Sequence, residues 1–502
     1  MTYLHGVEVL EIDTGTRPIA VVRSSVIGIV GTAPDSASGV KSAASIGTAA
    51  ANNGLSITAK AVGVAGNNIS IRLVDPAANS SALAVTVDGN AITISLATSG
   101  AGAVTTTGAL LLAAINAHAG ASALVTAAAL AGSTGAGVAV AGGRLFLSGG
   151  EDEAFPLNTP TLVAGSQREA ARLGTAGTLP AAMDGIFAQV GAVVVVVRVE
   201  EGEDAEETLA NVLGGVNAGT GDYEGIHAFL GAESRLGVAP RILLAPGFTH
   251  QRAGSANAVV AALVGIADRL RATVLADGPN TTDAAAMTYA NDFGSARVYM
   301  CDPWVKRVDR EGAIVQAPPS PYIAGVMAKS DADNGFWRSP SNQTIAGIVG
   351  TVRPVDFVLG DPNCRANLLN EAGIATIINQ DGYRLWGNRS LSSDPKWSFL
   401  SIRRTADMVN ESLLRAHLWA VDMGITAGYV DAVTDGVNAF LRSLRSSGAI
   451  INGRCWADED LNTPEAIADG NVFFDFDFSG TYPAERITFR SRLTNDYLTE
   501  IF

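Results

Sequence analysis

At 502 residues the chain is too long for one compact core, and roughly two to four domains are expected. The formal net charge of −15 sets up a field that repels a phosphate backbone, which argues against nucleic acid as a partner. Charged residues are only 17 % of the chain and glycines number 55, which suits either a surface covered by further copies of itself or a glycine-rich β protein with long loops. No uninterrupted apolar run reaches the ~18–20 residues of a membrane span, so no membrane insertion is expected. The start, MTYLHGVEV, lacks a basic region followed by an apolar run, so no signal peptide is expected. Cys301, Cys364 and Cys455 form no CxxC and read as buried thiols of a reducing compartment.

The first twenty residues read as an extended arm, with Val7, Val9 and Ile12 in imperfect alternation and a break at Gly15–Pro18. Val26–Val30 reads as a strand. Between about Val40 and Gly150 charge nearly vanishes, and the alternating runs Leu55–Ala59, Ile69–Val74, Ala84–Val87 and Ala91–Leu96 predict strands. Asp88-Gly89 is a hairpin signal between the last two, and Gly108–His118 suits a short helix. A disordered Ala/Gly linker is the competing reading; the regularly placed β-branched residues favour an inserted, mainly β domain.

Beyond Gly150 strands and helices alternate. Ala192–Val199, Arg241–Ala245, Ala272–Ala276 and Ala296–Cys301 predict strands; Glu203–Leu213, Ser255–Leu270 and Thr282–Phe293 predict helices. This pattern implies a mostly parallel sheet covered on both faces, joined by Val26–Val30. Asp302–Pro362, rich in Pro, Gly, Asn and Ser, reads as loops. In the last third, Ile374–Ile378 and Phe399–Arg403 predict strands and Thr405–Ala420 a helix. Val430, Val433, Val437, Phe440, Leu441 and Leu444 space a second helix. Phe474, Phe476 and Phe478 alternate with Asp475 and Asp477, placing the phenylalanines on a buried face and the carboxylates on a solvated one. Ile487–Leu493 is a further candidate strand.

Contiguous signatures of catalysis are missing: no GxSxG, no GxxxxGK[ST] and no HExxH. His5, His118, His227, His250 and His417 are scattered. Asp331-Ala332-Asp333-Asn334-Gly335 has its glycine misplaced for a calcium loop and reads as a turn. Gly219-Thr220-Gly221 with Gly225 has the wrong spacing for a dinucleotide fingerprint and reads as a surface turn. The six carboxylates between Glu200 and Glu207 read as a solvated helix start rather than a neighbour-facing patch. No catalytic residue, cofactor or metal site is expected.

The Gly382–Thr405 stretch, GYRLWGNRSLSSDPKWSFLSIRRT, holds two tryptophans, five cations and one carboxylate, a composition for gripping without a nucleophile. It resembles the start of the C-terminal domain of contractile phage tail sheath proteins. YLHGVEVLEIDTGTRPI (Tyr3–Ile19), VVVVVRVEEG (Val193–Gly202), APRILLAPGF (Ala239–Phe248) and FDFDFSGTYPAERITFRSRLT (Phe474–Thr494) resemble the same family in the expected order. The resemblance implies an α+β multidomain chain: a central α/β domain (21–40 and 151–360), an inserted mainly β domain (41–150), an α+β C-terminal domain facing a tube (361–480), and linking arms (1–20 and 481–502). It implies stacked hexameric rings around a tail tube that contract to drive the tube through a bacterial envelope. Expected partners are the chain itself, the tube protein, and baseplate and tail terminator proteins. The place is the virion tail, assembled in the host cytoplasm; a phage-derived bacteriocin is the same reading.

The resemblance also implies arms that link subunits by adding strands to their neighbours' C-terminal domains, which points to Val7, Val9, Glu11 and Ile12 in one arm and Ile487, Phe489 and Leu493 in the other, with Gly15 and Gly480 as hinges. Between Gly382 and Arg454 nine Arg/Lys stand against six Asp/Glu, and the surplus points to a tube-facing surface including Arg442 and Arg445. The alternatives are a non-contractile tail or baseplate protein, and an α/β-domain hydrolase.

Overall fold

The computed structural model describes residues 19–501. They divide into two compact units, one of Asp35–Pro156 with Arg172–Gly174, the other of the remainder.

A six-stranded sheet organises the larger unit. Its strands are β1 (Ile27–Thr32), β2 (Thr161–Ala164), β3 (Val193–Val199), β4 (Ile242–Leu244), β5 (Thr273–Asp277) and β6 (Val298–Cys301). They lie in the order β6-β5-β4-β1-β3-β2, with every neighbouring pair parallel except the antiparallel edge strand β2. The Val26–Val30 segment thus joins the sheet as β1. Strands of continuous apolar residues need cover on both faces. On one face Val30, Val195, Val197, Leu243 and Val274 pack with Val259, Val260 and Leu263 of a helix at Ala258–Leu270. On the other lies a helix pair, α1 (Leu179–Phe187) and α2 (Ser320–Asn334). The pair approaches closely because Gly185 and Gly325 stand at the contact: a Cβ on Gly325 would lie 2.7 Å from the Ile186 carbonyl.

Asp302–Pro362 departs from its reading as loops. It contains α2 and a three-stranded sheet of Val305–Val308, Ile314–Ala317 and Gly350–Thr351. Nearly all of α2 through Ala328 is buried, so it shows no amphipathic stripe, and its Ser-Pro start is a tolerated first turn. The Asp331–Asn334 residues, expected in a loop turn, are the last turn of this helix.

Phe399–Arg403 is a second correction. Phe399 is the N-cap and Leu400–Arg403 the first turn of α3 (Leu400–Ala416). The Leu-Ser-Ile-Arg alternation looks like a strand, but Ser401 is itself buried, so both sides of the segment face protein. Leu418–Ala420, expected as helix, is a 3-10 turn. Then α4 (Ala427–Ser447) opens on a Thr426 side-chain cap and ends at Gly448 with φ 82°. Its Val433, Val437, Phe440, Leu441 and Leu444 form a core with Met408 and Val409 of α3. The antiparallel hairpin β7 (Ile450–Ala457) and β8 (Phe474–Gly480) covers this core. Phe474, Phe476 and Phe478 pack against it, and Asp475 and Asp477 are exposed, as their alternation predicts.

The smaller unit has a three-stranded sheet of Ala43–Ile46, Leu55–Ala59 and Val125–Ala129 and a four-stranded sheet of Ala84–Asp88, Ala91–Ser95, Ser70–Val74 and Leu145–Phe146. The Asp88-Gly89 hairpin is present: Asp88 pairs with Ala91, and Gly89 takes φ 54° in the turn. A helix at Gly108–Ala117 buries Leu111 and Ile115 against both sets of strands.

Candidate assembly interface

Parallel strands present one end of the sheet as a row of strand starts. Here three of those starts carry arginines: Arg241 before β4, Arg271 before β5 and Arg297 before β6. Helix α3 crosses this end and meets them with carboxylates. Asp407 receives Arg297 at 2.8 Å and Arg403 at 2.9 Å. Glu411 receives Arg241 at 2.7 Å, Arg271 at 3.0 Å and Arg415 at 2.8 Å. One turn earlier Arg404 pairs with Asp331 at the end of α2, which also accepts from Ser24 Oγ at 2.7 Å. Residues 404, 407, 411 and 415 recur every three or four positions and so line one face of α3. Val409 and Leu413 lie on the opposite, apolar face, and Met408 borders it; all three join the core with α4. Burial would raise the Glu411 carboxyl, but Arg415 and Arg241 together hold it below its ordinary value.

The opposite end of the sheet holds a second polar seam. Asp277, fully buried, accepts from Ser320 N at 2.8 Å, Ser320 Oγ at 2.9 Å and Thr249 Oγ1 at 3.0 Å. It thus fastens the first turn of α2 to β5. Desolvation outweighs these donors and pushes its carboxyl up to about 6. Burial also drives the Cys301 thiol well above its ordinary range. No cluster of metal-ligating side chains occurs among the described residues, and no helix among them is long and apolar enough to cross a membrane.

The gripping composition of Gly382–Thr405 turns out to be spent inward. Arg389 binds Glu485 at 2.7 Å, Arg403 and Arg404 serve α3, and Arg384 donates to the Gln380 and Asn342 carbonyls. Lys396 and Arg403 lie over the Trp397 ring, and Trp386 packs edge-on to Phe357. Of the nine cations between Gly382 and Arg454, Arg442 and Arg445 are the two with neither a carboxylate nor a ring partner nor a side-chain hydrogen bond among the described residues; both stand exposed on α4.

Of the arm residues, Val7, Val9, Glu11, Ile12 and Gly15 lie outside the described residues. Gly480 closes β8, paired to Ile450 and buried. After it, the chain is tied to its own body by Thr481 Oγ1 to the Gly448 carbonyl, Tyr482 against Phe399 and Glu485 on Arg389. Residues 486–494 then form no strand within the chain, and Ile487, Phe489 and Leu493 are 71 %, 93 % and 101 % exposed. Sequence reasoning missed the strand-start arginines, although Arg-Ile-Leu-Leu, Arg-Ala-Thr-Val-Leu and Arg-Val-Tyr-Met repeat one signal.

Three segments match phage tail sheath families: residues 128–199 the tail sheath protein Gp18 domain III N-terminal region, 217–391 the phage tail sheath protein central domain, and 392–494 the phage tail sheath C-terminal domain. The chain is 46 % identical over 358 residues to a prophage major tail sheath protein of Pseudomonas aeruginosa (strain UCBPP-PA14), covering 71 % of this chain and 91 % of that one. It is 32 % identical over 524 residues to the tail sheath protein of Burkholderia phage BcepMu, covering 99 % and 98 %. In fold it is similar to the anti-feeding prophage helical sheath in its contracted state, with TM-score 0.52, 21 % identity, and coverage of 68 % and 89 %. The chain belongs to the phage tail sheath family, whose members are structural proteins and not enzymes.

Two outcomes follow. Replacing Asp407 by Ala removes the buried carboxylate shared by Arg297 and Arg403, though Arg297 keeps Asp268 and Arg403 keeps the Trp397 ring, and should cost about 1.5–3 kcal/mol in urea unfolding, against less than about 1 for Arg454→Ala at the exposed Asp477 pair. Because the folded Asp277 holds its proton more tightly than the unfolded one, its contribution to stability is complete below about pH 4 and lost as pH rises through about 6. The loss is on the order of 3 kcal/mol. In Asp277→Asn the part of the pH–stability curve between those limits should flatten; an unchanged slope contradicts it.

Proposed function

We propose that this chain is the repeating subunit of a contractile tail sheath, which polymerises as stacked hexameric rings around a tail tube and contracts to drive the tube through a bacterial envelope. The observation that carries the reading is the arm: an anchored exit through Glu485, then exposed apolar residues at 487, 489 and 493 with no partner strand among the described residues. A strand added to a neighbour gains backbone hydrogen bonds of about 1 kcal/mol net each, weak singly and strong when repeated over a polymer. On this reading residues 1–20 and 481–502 are linking arms and Gly15 and Gly480 flank their exits. Residues 21–40 with 151–360 form the central domain, 41–150 the outer insertion, and 361–480 the tube-facing domain.

The prophage and P2 sheaths, of which this chain covers 91 % and 92 %, match only 71 % and 72 % of it, a shortfall comparable to the smaller unit. That supports the unit's being an addition outside the shared machinery. The remaining partners are the tube protein, baseplate and tail terminator proteins, with assembly in the host cytoplasm before the sheath becomes part of the virion.

A chain ending at Glu485 should fold with an unchanged thermal midpoint and form no striated tubes by negative-stain electron microscopy, whereas the full chain forms them with its tube protein present. Tubes from the shortened chain contradict the reading. Arg442 and Arg445, exposed on one helix with no ion-pair partner among the described residues, are the residues this reading assigns to the tube contact. Reversing both to Glu should lower sheath assembly on tubes by about tenfold, and wild-type salt sensitivity should disappear with it. Normal assembly of the double variant removes them from that contact.

A further inference from the structure

The residues that lead into β1 are held to the body at every second position. Val22 N–H donates to Ser412 Oγ at 3.2 Å, the Ser24 carbonyl accepts from Arg404 Nη2 at 3.5 Å, and the Val26 carbonyl accepts from Arg241 N–H at 2.8 Å. The positions between them, Val21, Arg23 and Ser25, make no backbone hydrogen bond among the described residues. From Ile27 onward β1 has β3 as a neighbour, with Ile27 matched to Val194. Upstream of that pair the entry segment has no strand neighbour among the described residues, and a groove of about 460 Å³ lies there. Val193 at the start of β3, Phe336 and Trp337 just beyond α2, and Ser443 and Leu444 of α4 line it together with the entry segment.

A backbone edge with free groups beside an apolar trough is suited to an extended segment that adds as a strand. The segment must be apolar and carry acid, because Val21 on the rim is 43 % exposed and Arg23 is exposed with no ion pair among the described residues. Such a segment is tethered at the groove itself. Eighteen residues precede Ile19, and Ile19 packs with Val22 and Trp337 against the core beneath the groove. They include Val7-Glu8-Val9-Leu10-Glu11-Ile12, followed by Asp13-Thr14-Gly15-Thr16-Arg17-Pro18, a run of turn formers. A four-residue reversal over Thr14–Arg17 sets Asp13 opposite Pro18. Counting back from there, Ile12 falls opposite Ile19, Leu10 opposite Val21, Val9 opposite Val22 and Glu8 opposite Arg23. The apolar residues meet apolar residues, and the acid meets the unpaired cation.

We propose that in the unassembled subunit residues 7–12 fold back onto the same chain's Ile19–Ser24 and occupy this groove, and that assembly has to displace them. The chain's own segment is the occupant because its tether gives an effective concentration on the order of millimolar, far above that of another copy at micromolar protein. The contact is short, so a repeated set of links between copies outcompetes it. It acts as a restraint: while the segment lies in its own groove it cannot reach a neighbour, and free subunits are held back from polymerising. The inference rests on the reading of residues 1–20 as a linking arm, and adds where that arm is kept before it links.

The test is a reversible lock in the full chain. Ser443→Cys, on the exposed groove wall, is combined with Val9→Cys and, separately, with Leu10→Cys; the three native cysteines are buried and do not compete. Dilute subunit is mildly oxidised, linkage is read by gel mobility and mass, and thermal unfolding is the fold control. Adjacent residues of an extended segment face opposite ways, so one of the two pairs should link within the monomer about tenfold faster than the other. The linked monomer, mixed with tube protein, should give tube yields lower by about tenfold or more, and reduction of the same sample should restore them. Links that form only between copies, or two pairs that link equally slowly, overturn the fold-back and leave the linking arm standing. A linked monomer that assembles as well as its reduced form overturns the fold-back as a restraint and takes the N-terminal linking arm with it.

Discussion

The larger unit depends on the ionic seam between α3 and the starts of the parallel strands. Asp407 and Glu411 are buried beside Arg241, Arg271, Arg297, Arg403 and Arg415, so the helix cannot shift along the sheet end without stranding a charge in a poor dielectric. A buried ion pair adds little net stability over an apolar contact of similar volume, but it specifies one arrangement, since an apolar interface tolerates sliding and a charge pair does not. The same helix is apolar on its other side, where α4 and the β7–β8 hairpin rest. Sheet, helix and hairpin are therefore fixed in sequence, with α3 as the common element.

That rigidity suits the proposed role. If copies are linked through an arm and a strand edge, movement between copies is best confined to the arm, and the body should transmit force without deforming. The second seam serves the same end: Asp277 fastens α2 to β5 at the far side of the sheet, and Asp331 at the other end of α2 closes onto Arg404 of α3. Helix α2 is thus clamped at both termini by buried polar contacts, one to the sheet and one to α3. The arm stands outside this frame after Glu485, consistent with a segment that takes its order from a neighbour.

Much of this was legible in the residues. The valine run, the strand–helix alternation after Gly150, the Phe-Asp alternation at 474–478 and the Asp88-Gly89 turn each depend on local periodicity or turn chemistry, and each appears in the fold. What escaped was set by tertiary context. Helix α2 is buried on all sides and so has no stripe to read, and Phe399–Arg403 alternates like a strand yet starts a helix because Ser401 is buried too. The charge surplus of the C-terminal third pointed outward in sequence, but most of those arginines turn to partners tens of residues away, as Arg404 does to Asp331 and Arg389 to Glu485, or in the next helical turn. In the second arm the apolar positions 487, 489 and 493 alternate with arginines as a strand would, yet residues 486–494 form no strand in the structure, because no neighbouring strand is there to pair with them.

The most direct test of strand donation is amide hydrogen exchange compared between dissociated subunits and assembled tubes. The account predicts that amides of residues 486–493 exchange freely in the subunit and become protected on assembly. An arm that stays freely exchanging in the tube would contradict it.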